Sequence, residues 1–571
     1  MIQKRWVIKP DGEPSVISEL SNSLNLNPIL CNLLFHRGIT NYKEAEYFFR
    51  PQLEHLHDPF LMKDMDKAVA RICKAFDQKE KILVFGDYDV DGTSAVALFY
   101  SFLREFYPHI GFYIPDRYEE GYGVSIKGID WAHENGYSLI VCLDCGIKAI
   151  EKIDYAKTKN IDFIVCDHHR PGDQIPSASA VLDPKRNDCD YPYKELSGCG
   201  IGFKFAEAIA RYKKMDMQVV YNYLDLVAIS IASDIVPITG ENRVLAYYGL
   251  KQLNQNPRAG VKAIIDVAYQ SNKELDVNDI VFVIAPRINA AGRLESGSKA
   301  VELLISESPD TAMLHGYDID KQNVERKNID QSITSHALDM IGESTVYETR
   351  KSIVVYHPEW HKGVIGIVAS RLADKFYKPT IVLTKSNGHI AGSARSVRDF
   401  DVYNAIDACS DLLEQFGGHM YAAGLTMSES KVESFIHKFE EVVSSTITPE
   451  MEIREVLIDA ELDLNDITPK FYNIIKQFAP FGPGNLSPVF LSNISRQTSI
   501  SKIVGNNHLK LAIRQSNGNG TQNYDGIGFQ MGDYHSLISK GLPYKLCYHL
   551  EENHYNNRVT LQMNIKDLDF E

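Results

Sequence analysis

The stretch Lys81 to Ala95, KILVFGDYDVDGTSA, constrains this chain more than any other. Four apolar residues, Ile82 to Phe85, stop at Gly86, and carboxylates follow at alternate positions, Asp87, Asp89 and Asp91. A short apolar run bounded by glycine and followed by a helical pattern is a buried parallel strand entering a helix. The acids then stand at the strand's carboxyl end, the rim where open α/β sheets bind ligands. Three like charges within five residues repel unless a cation holds them, so a hard divalent metal with oxygen ligands is the plainest expectation.

Rival readings of the stretch fail on spacing. As a calcium EF-hand loop, its twelfth position counted from Asp87 is Leu98, not a bidentate Glu, and a strand precedes it. Asp89-Val-Asp91-Gly-Thr93 also resembles the nucleophile loop of haloacid-dehalogenase phosphatases, a rival that the downstream residues decide against. Cys142 and Cys145 form a CxxC with no second pair to complete a zinc site, so they are read as buried small residues.

From Lys81 strand and helix patterns alternate through GFYIPDR, SLIVCLDCG and DFIVCDHHR, which predicts a doubly wound parallel sheet. Two further strands end in metal-competent side chains, Asp144 on one and Asp167, His168 and His169 on the other. A lone acid at a strand end is as often a helix cap, but that does not account for three such rims. The apolar run Leu224 to Ala232 ends at Asp234, which joins the cluster because a buried carboxylate needs a partner. Asp225 is a weaker candidate that caps a helix. Carboxylates with imidazole in this number can hold two cations about 3.5 to 4 Å apart, an arrangement that activates water and stabilises a leaving oxygen; a histidine ligand favours Mn²⁺ over Mg²⁺.

The 571 residues allow three or four domains. Residues 1–80 form a helical preamble expected to pack on the first sheet; 81–303 form the catalytic domain, 304–349 a polar helical connector, and 350–454 a second, smaller α/β domain. Residues 455–571 change to short alternating runs, as in a C-terminal β-barrel of OB-fold type, where Tyr524, Phe529, Tyr544 and Tyr555 are candidates for base stacking. Charge is acidic as a whole, 60 basic residues against 75 acidic, net −15, yet Ser352 to Arg398 carries seven Lys or Arg against two acids. That local excess is a footprint for phosphate. Within it GSARS is read as a short turn bringing Ser393 and Arg395 to an anion, and Gly417, Gly418 and His419 as a second such loop at a helix end, a plain helix terminus being the alternative. SGCGIGFKFA, residues 197 to 206, is read as packing. Nine scattered cysteines are read as reduced thiols, and with no signal-like or membrane-length apolar run the expectation is a soluble, cytoplasmic protein.

The ordered set DYDVDG, IPDRYEEGYG, LDCG, DHH and ASDIVP, followed by PRINAAGR, WHKGVIGIVASRL, GSARS, FGGHMYAAG and FAPFGPGN, resembles the DHH phosphoesterase superfamily and is most similar to its RecJ-type single-stranded-DNA exonucleases. The resemblance spans roughly residues 80 to 490 and is weaker beyond. It implies a DHH domain, a DHHA1-like second domain, and a 5′ to 3′ exonuclease releasing mononucleotides with two Mn²⁺ or Mg²⁺ ions. It carries the metal ligands to Asp87, Asp89, Asp91, Asp144, His168 and Asp234, with His169 as a catalytic partner. Arg117, Arg287, Arg293, Ser393 and Arg395 become candidates for holding DNA phosphates, the terminal 5′ phosphate among them; ion pairs between domains are the competing role for the arginines. Single-stranded DNA is the implied partner of a monomer, with a single-strand-binding protein and a helicase as further partners in repair and recombination. The alternative is a phosphodiesterase of the same superfamily acting on short oligonucleotides or cyclic dinucleotides.

Overall fold

The computed structural model describes residues 4–269, 273–494, 499–517, 520–555 and 558–570. The chain divides into two compact units, one of residues 59–234 and 249–454, the other of residues 5–58, 235–248 and the chain from Glu455 on.

The first unit opens with the expected sheet. Its strands are β1 (Lys81–Gly86), β2 (Ile110–Tyr113), β3 (Tyr137–Leu143), β4 (Asp162–Cys166) and β5 (Ala180–Leu182). All pair in parallel in the order β2-β1-β3-β4-β5. Chain direction across the sheet reverses between β1 and β3, and such a switch point opens a crevice at the carboxyl ends. Both strands end in acids there. Helix α1 (Val90–Arg104) starts at the switch point with Asp89 as its N-cap, accepting from the Gly92 amide at 3.0 Å. Gly92 has no room for a side chain, since a Cβ would stand 2.5 Å from the Asp87 carbonyl oxygen. Helices α2 (Gly198–Tyr212) and α3 (Leu224–Ser233) pack on α1, and α4 (Ala285–Leu294) follows.

The connector is mostly one long helix, α5 (Pro309–Gly342), with Ser308 as its N-cap and Pro309 in its first turn, followed by the short helix Val346–Thr349. It buries Gln322, Asn323, Arg326 and Asp330. Asp330 pairs with Arg326 at 2.9 Å and with Arg371 at 2.7 Å. Beyond it lies a second sheet, β6 (Ile353–Tyr356), β7 (Thr380–Ser386), β8 (His389–Arg395), β9 (Gln415–His419) and β10 (Ala422–Met427), in the order β9-β10-β8-β7-β6, with helix α6 (Ile365–Phe376) against it. Two local expectations are corrected here. Ser393 and Arg395 belong to strand β8 and not to a turn, and Gly417, Gly418 and His419 belong to edge strand β9 and not to a loop at a helix end. At Gly418, φ +146, a Cβ would stand 2.4 Å from the Ala422 carbonyl oxygen, so the glycine serves the close approach of β9 to β10.

The second unit corrects the reading of the amino-terminal helices. Leu20, Leu30, Leu33 and Leu34 share one buried cluster with Phe471, Phe478, Phe490, Leu509 and Leu546, so helices Pro14–Leu24 and Pro28–Phe35 pack on the C-terminal domain. Helix Met65–Gln78 packs with the first sheet. The guanidinium of Arg243 adds a tie, donating to the Phe48, Phe478 and Ala479 carbonyls over the Phe48 ring. The C-terminal sheet is mixed and, among the described residues, has seven strands. Among the described residues no helix is long and apolar enough to cross a membrane.

Candidate active site

The ends of β1, β3 and β4 and helix α3 bring their side chains to one place. The His168 Nε2 stands 3.2 Å from Asp144 Oδ1, 3.5 Å from Asp234 Oδ2 and 3.7 Å from Asp91 Oδ2. Two groups, Asp144 with His168 and His169, and Asp91 with His168 and Asp234, each hold their ligand atoms within 4.8 Å of one another. Asp87 and Asp89 lie beside them on the same rim, outside both groups. Asp225 goes elsewhere: it is buried against Arg258 at 2.8 Å.

The cluster holds more carboxylates than positive charge. Burial, then the charge of Asp89, pushes the Asp87 carboxyl up, and burial followed by Asp91 does the same for Asp89 and Asp144. Asp234 is pushed up to about 8 by burial and by Asp91 and Asp89. Burial lowers the His168 imidazole. Asp87 Oδ2, Asp144 Oδ1 and both ring nitrogens of His168 are buried without a hydrogen-bond partner. Oxygen donors with one or two imidazoles, orphaned and short of cation, fit a divalent metal site.

Neighbouring groups, most of them not singled out in the sequence, hold these side chains. Asp91 Oδ2 accepts from the Gly198 amide at 2.7 Å, and its Oδ1 from the Cys199 amide and the Ser230 hydroxyl, both at 2.7 Å. The glycine-rich start of α2, read as packing, is thus a helix N-terminus aimed at a carboxylate; a serine cap before a glycine-rich helix start was its signal. Asp167 Oδ1 accepts from the His168 and His169 amides and from His169 Nδ1 at 2.8 Å, and its Oδ2 from the Ile147 amide. Burial raises Asp167, but the bond and charge of His169, the Ile147 amide and His168 together outweigh it and hold the carboxyl at about 2; at His169 burial is outweighed in turn by the bond and charge of Asp167 with the charges of Asp234 and Asp91, which push it up to about 9. His169 Nε2 meets the hydroxyl of half-exposed Tyr122 at 3.1 Å.

The arginines part company. Arg117, Arg293 and Arg395 crowd together: burial and then Arg117, Arg326 and Arg395 lower Arg293 to about 10, and burial with Arg117 lowers Arg395. Among the described residues none of the three pairs with a carboxylate. Arg395 donates to Ser370 Oγ, Ser393 Oγ and the Ala394 carbonyl, Arg293 to the Gly363 carbonyl, and Arg117 lies 4.7 Å from the Tyr88 ring centre. Arg287 is instead bound to Asp320 at 2.9 Å and to the Val283 carbonyl. Most of the basic stretch is similarly engaged, Arg371 with Asp330, Lys385 with Glu429, Arg398 with Asp399, and Lys378 with two carbonyls. His419 lies near enough to Lys148 and His169 for both, after burial, to lower it.

Of the C-terminal aromatics, Tyr524 and Tyr544 are buried, the former donating to the Leu464 carbonyl. Phe529 is exposed beside His508. Tyr555 is on a strand and its side chain lies outside the described residues. Cys142 and Cys145 are buried free thiols.

Carboxylates and imidazoles at a parallel-sheet switch point, beside arginines from both α/β domains, are the arrangement of a metal-dependent phosphoesterase of the DHH type. Residues 81–231 match the family model of the DHH family N-terminal domain, 349–445 that of the DHHA1 domain, and 458–567 that of the RecJ OB domain. The chain is 35% identical to the single-stranded-DNA-specific exonuclease RecJ of Bacillus subtilis (strain 168), over 99% of this chain and 70% of that protein. It is 31% identical to the RecJ of Salmonella typhimurium (strain LT2), over 95% and 96%. The crystal structure of RecJ in complex with Mn²⁺ from Thermus thermophilus matches with a TM-score of 0.84 at 24% identity, over 99% of this chain and 79% of that one. The chain belongs to the RecJ family of single-stranded-DNA-specific exonucleases.

Proposed function

We infer that the protein is a single-stranded-DNA-specific exonuclease that removes 5′-mononucleotides from the 5′ end in DNA repair and recombination. The observation that carries this is the pairing, in one unit, of a buried cation-deficient carboxylate and histidine cluster with arginines that, among the described residues, lack carboxylate partners. Asp91, Asp144, His168 and Asp234, with Asp87 and Asp89 beside them, would hold Mn²⁺ or Mg²⁺. Two such ions, when bound, supply the charge that makes hydroxide from water and stabilises the leaving oxygen. The amides of Gly198 and Cys199 and the Ser230 hydroxyl orient Asp91. Asp167 holds the Nδ1 proton of His169, leaving Nε2 beside Tyr122 to hold or move a proton at the reacting group. Arg117, Arg293 and Arg395, with Ser393, take the terminal 5′ phosphate, so the next bond along the strand meets the carboxylates and digestion runs from that end. A phosphodiesterase of small nucleotides needs only the two α/β domains; the chain beyond Glu455 favours long single strands.

The reading places the protein in the cytoplasm, working as a monomer beside a helicase that exposes strands and a protein that coats them. Digestion of 5′-labelled and 3′-labelled single strands with Mn²⁺ or chelator tests it, with a blunt duplex and a His168→Ala variant as controls. Labelled mononucleotide should leave the 5′ end first, and chelator or His168→Ala should stop it. Release from the 3′ end, or equal rates on blunt duplex and single strand, would overturn it.

A further inference from the structure

The carboxyl rim of the first sheet runs in one line. Arg117 follows edge strand β2, Asp87 to Asp91 follow β1, Asp144 follows β3, His168 and His169 follow β4, and the turn Asp183-Pro184-Lys185 follows β5 at the opposite edge. Five strands about 4.8 Å apart make a rim roughly 19 Å across. Leu182 stands beside Cys166, and the Asp167 amide donates to the Leu182 carbonyl at 3.0 Å, which sets the turn next to the two histidines.

That turn is fixed and offers one cation. Asp183 is fully buried, accepts from the Lys185 amide at 2.7 Å, and leaves its Oδ2 without a partner. Arg186 is consumed by Asp64, Asp188 and the Val181 carbonyl. Lys185, about a quarter exposed, meets Glu195 at 3.3 Å, and Glu195 is itself 44% exposed. A pair so open to water is weak. Lys185 nonetheless stands on the rim, two residues beyond Asp183 and next to the strand end that carries His168 and His169.

We propose that Lys185 binds the phosphate on the 3′ side of the scissile bond. The strand then lies along the rim from the arginine pocket, over the carboxylates, to Lys185. This rests on the exonuclease reading, in which the arginines hold the terminal phosphate. The residue types suit the two ends. Guanidinium forks hold a terminal phosphate in fixed geometry, whereas an ammonium on a flexible stem suits a phosphate that must move forward after every cut.

Two defined substrates separate the positions. A 5′-phosphorylated dinucleotide ends with the scissile phosphate, and a 5′-phosphorylated trinucleotide adds one phosphate beyond it. The readout is the ratio of kcat/KM, trinucleotide over dinucleotide, with Mn²⁺. Lys185→Ala should lower this ratio about fivefold, and Lys185→Arg, which keeps the charge, should hold it. An unchanged ratio in Lys185→Ala, or a fall in Lys185→Arg equal to that in Lys185→Ala, overturns the proposal alone. A wild-type protein that hydrolyses neither substrate overturns the exonuclease reading and the proposal with it.

Discussion

Replacing Gly198 by Ala tests whether the start of α2 holds the metal ligands. A Cβ at this position would stand 2.6 Å from both Cβ and Oδ1 of Asp144 and 2.8 Å from its Cγ. Ordinary contact begins near 3.4 Å, so the carboxylate must retreat by about 0.8 Å or the helix start must shift and take its amide from Asp91. Metal sites tolerate ligand displacements of only about 0.2 Å, and disturbing a group that orients a ligand costs about 10- to 100-fold in affinity, roughly 1.4 to 2.8 kcal/mol. Isothermal titration of the metal-free protein with Mn²⁺ should show a loss in that range for Gly198→Ala. Affinity for single-stranded DNA in chelator should stay within about twofold, because the arginine pocket is built by other elements. Mn²⁺ affinity within twofold of wild type would refute the argument that this helix start fixes Asp91 and Asp144.

Arg395→Ala should weaken single-strand binding by about 1.5 to 3 kcal/mol and flatten the slope of log affinity against log salt by about one, with the Mn²⁺ titration intact; an unchanged slope with impaired metal binding would place Arg395 in another role. The metal-free protein should lose stability as pH rises. Asp234 keeps its proton to about 8 when folded and to 3.8 when unfolded, so between those values the folded state binds more protons and each rise in pH favours unfolding. Melting in chelator from pH 5 to 8 should show a falling Tm, less steep in Asp234→Asn and relieved by Mn²⁺. A slope identical in the variant would show that Asp234 is not buried at this cost.

Much of the first unit was legible because a parallel strand covered on both faces must be continuously apolar, as Ile82 to Phe85 and Leu139 to Leu143 are. Acids placed directly after such runs can only stand at the carboxyl rim. The partner of an amphipathic helix is not written in the helix. Residues 14–35 show which faces are apolar, but either sheet could have covered them, and the aliphatic cluster with Phe471 and Phe490 decides it. Glycine was ambiguous for the same reason: in FGGH it permits a turn, and it equally permits the close β9 to β10 approach that the chain uses.

Basic residues were the least legible part, because net charge along a segment does not count free charge in space. Arg287 looks like a phosphate ligand until Asp320, 33 residues on, claims it, and Arg371 and Lys385 are taken by acids equally remote in sequence. Arg293 and Arg395 differ by their surroundings. Their partners are carbonyls and hydroxyls, they are pressed toward Arg117, and burial lowers the affinity of both for their protons. Withdrawing guanidinium groups from water without counter-charge is costly, and the fold accepts that cost at Arg293 and at Arg395. On the proposed reading, a phosphate brought by the substrate would offset both together, so the arrangement that burdens the free protein would be the one that strengthens its hold on a phosphate end.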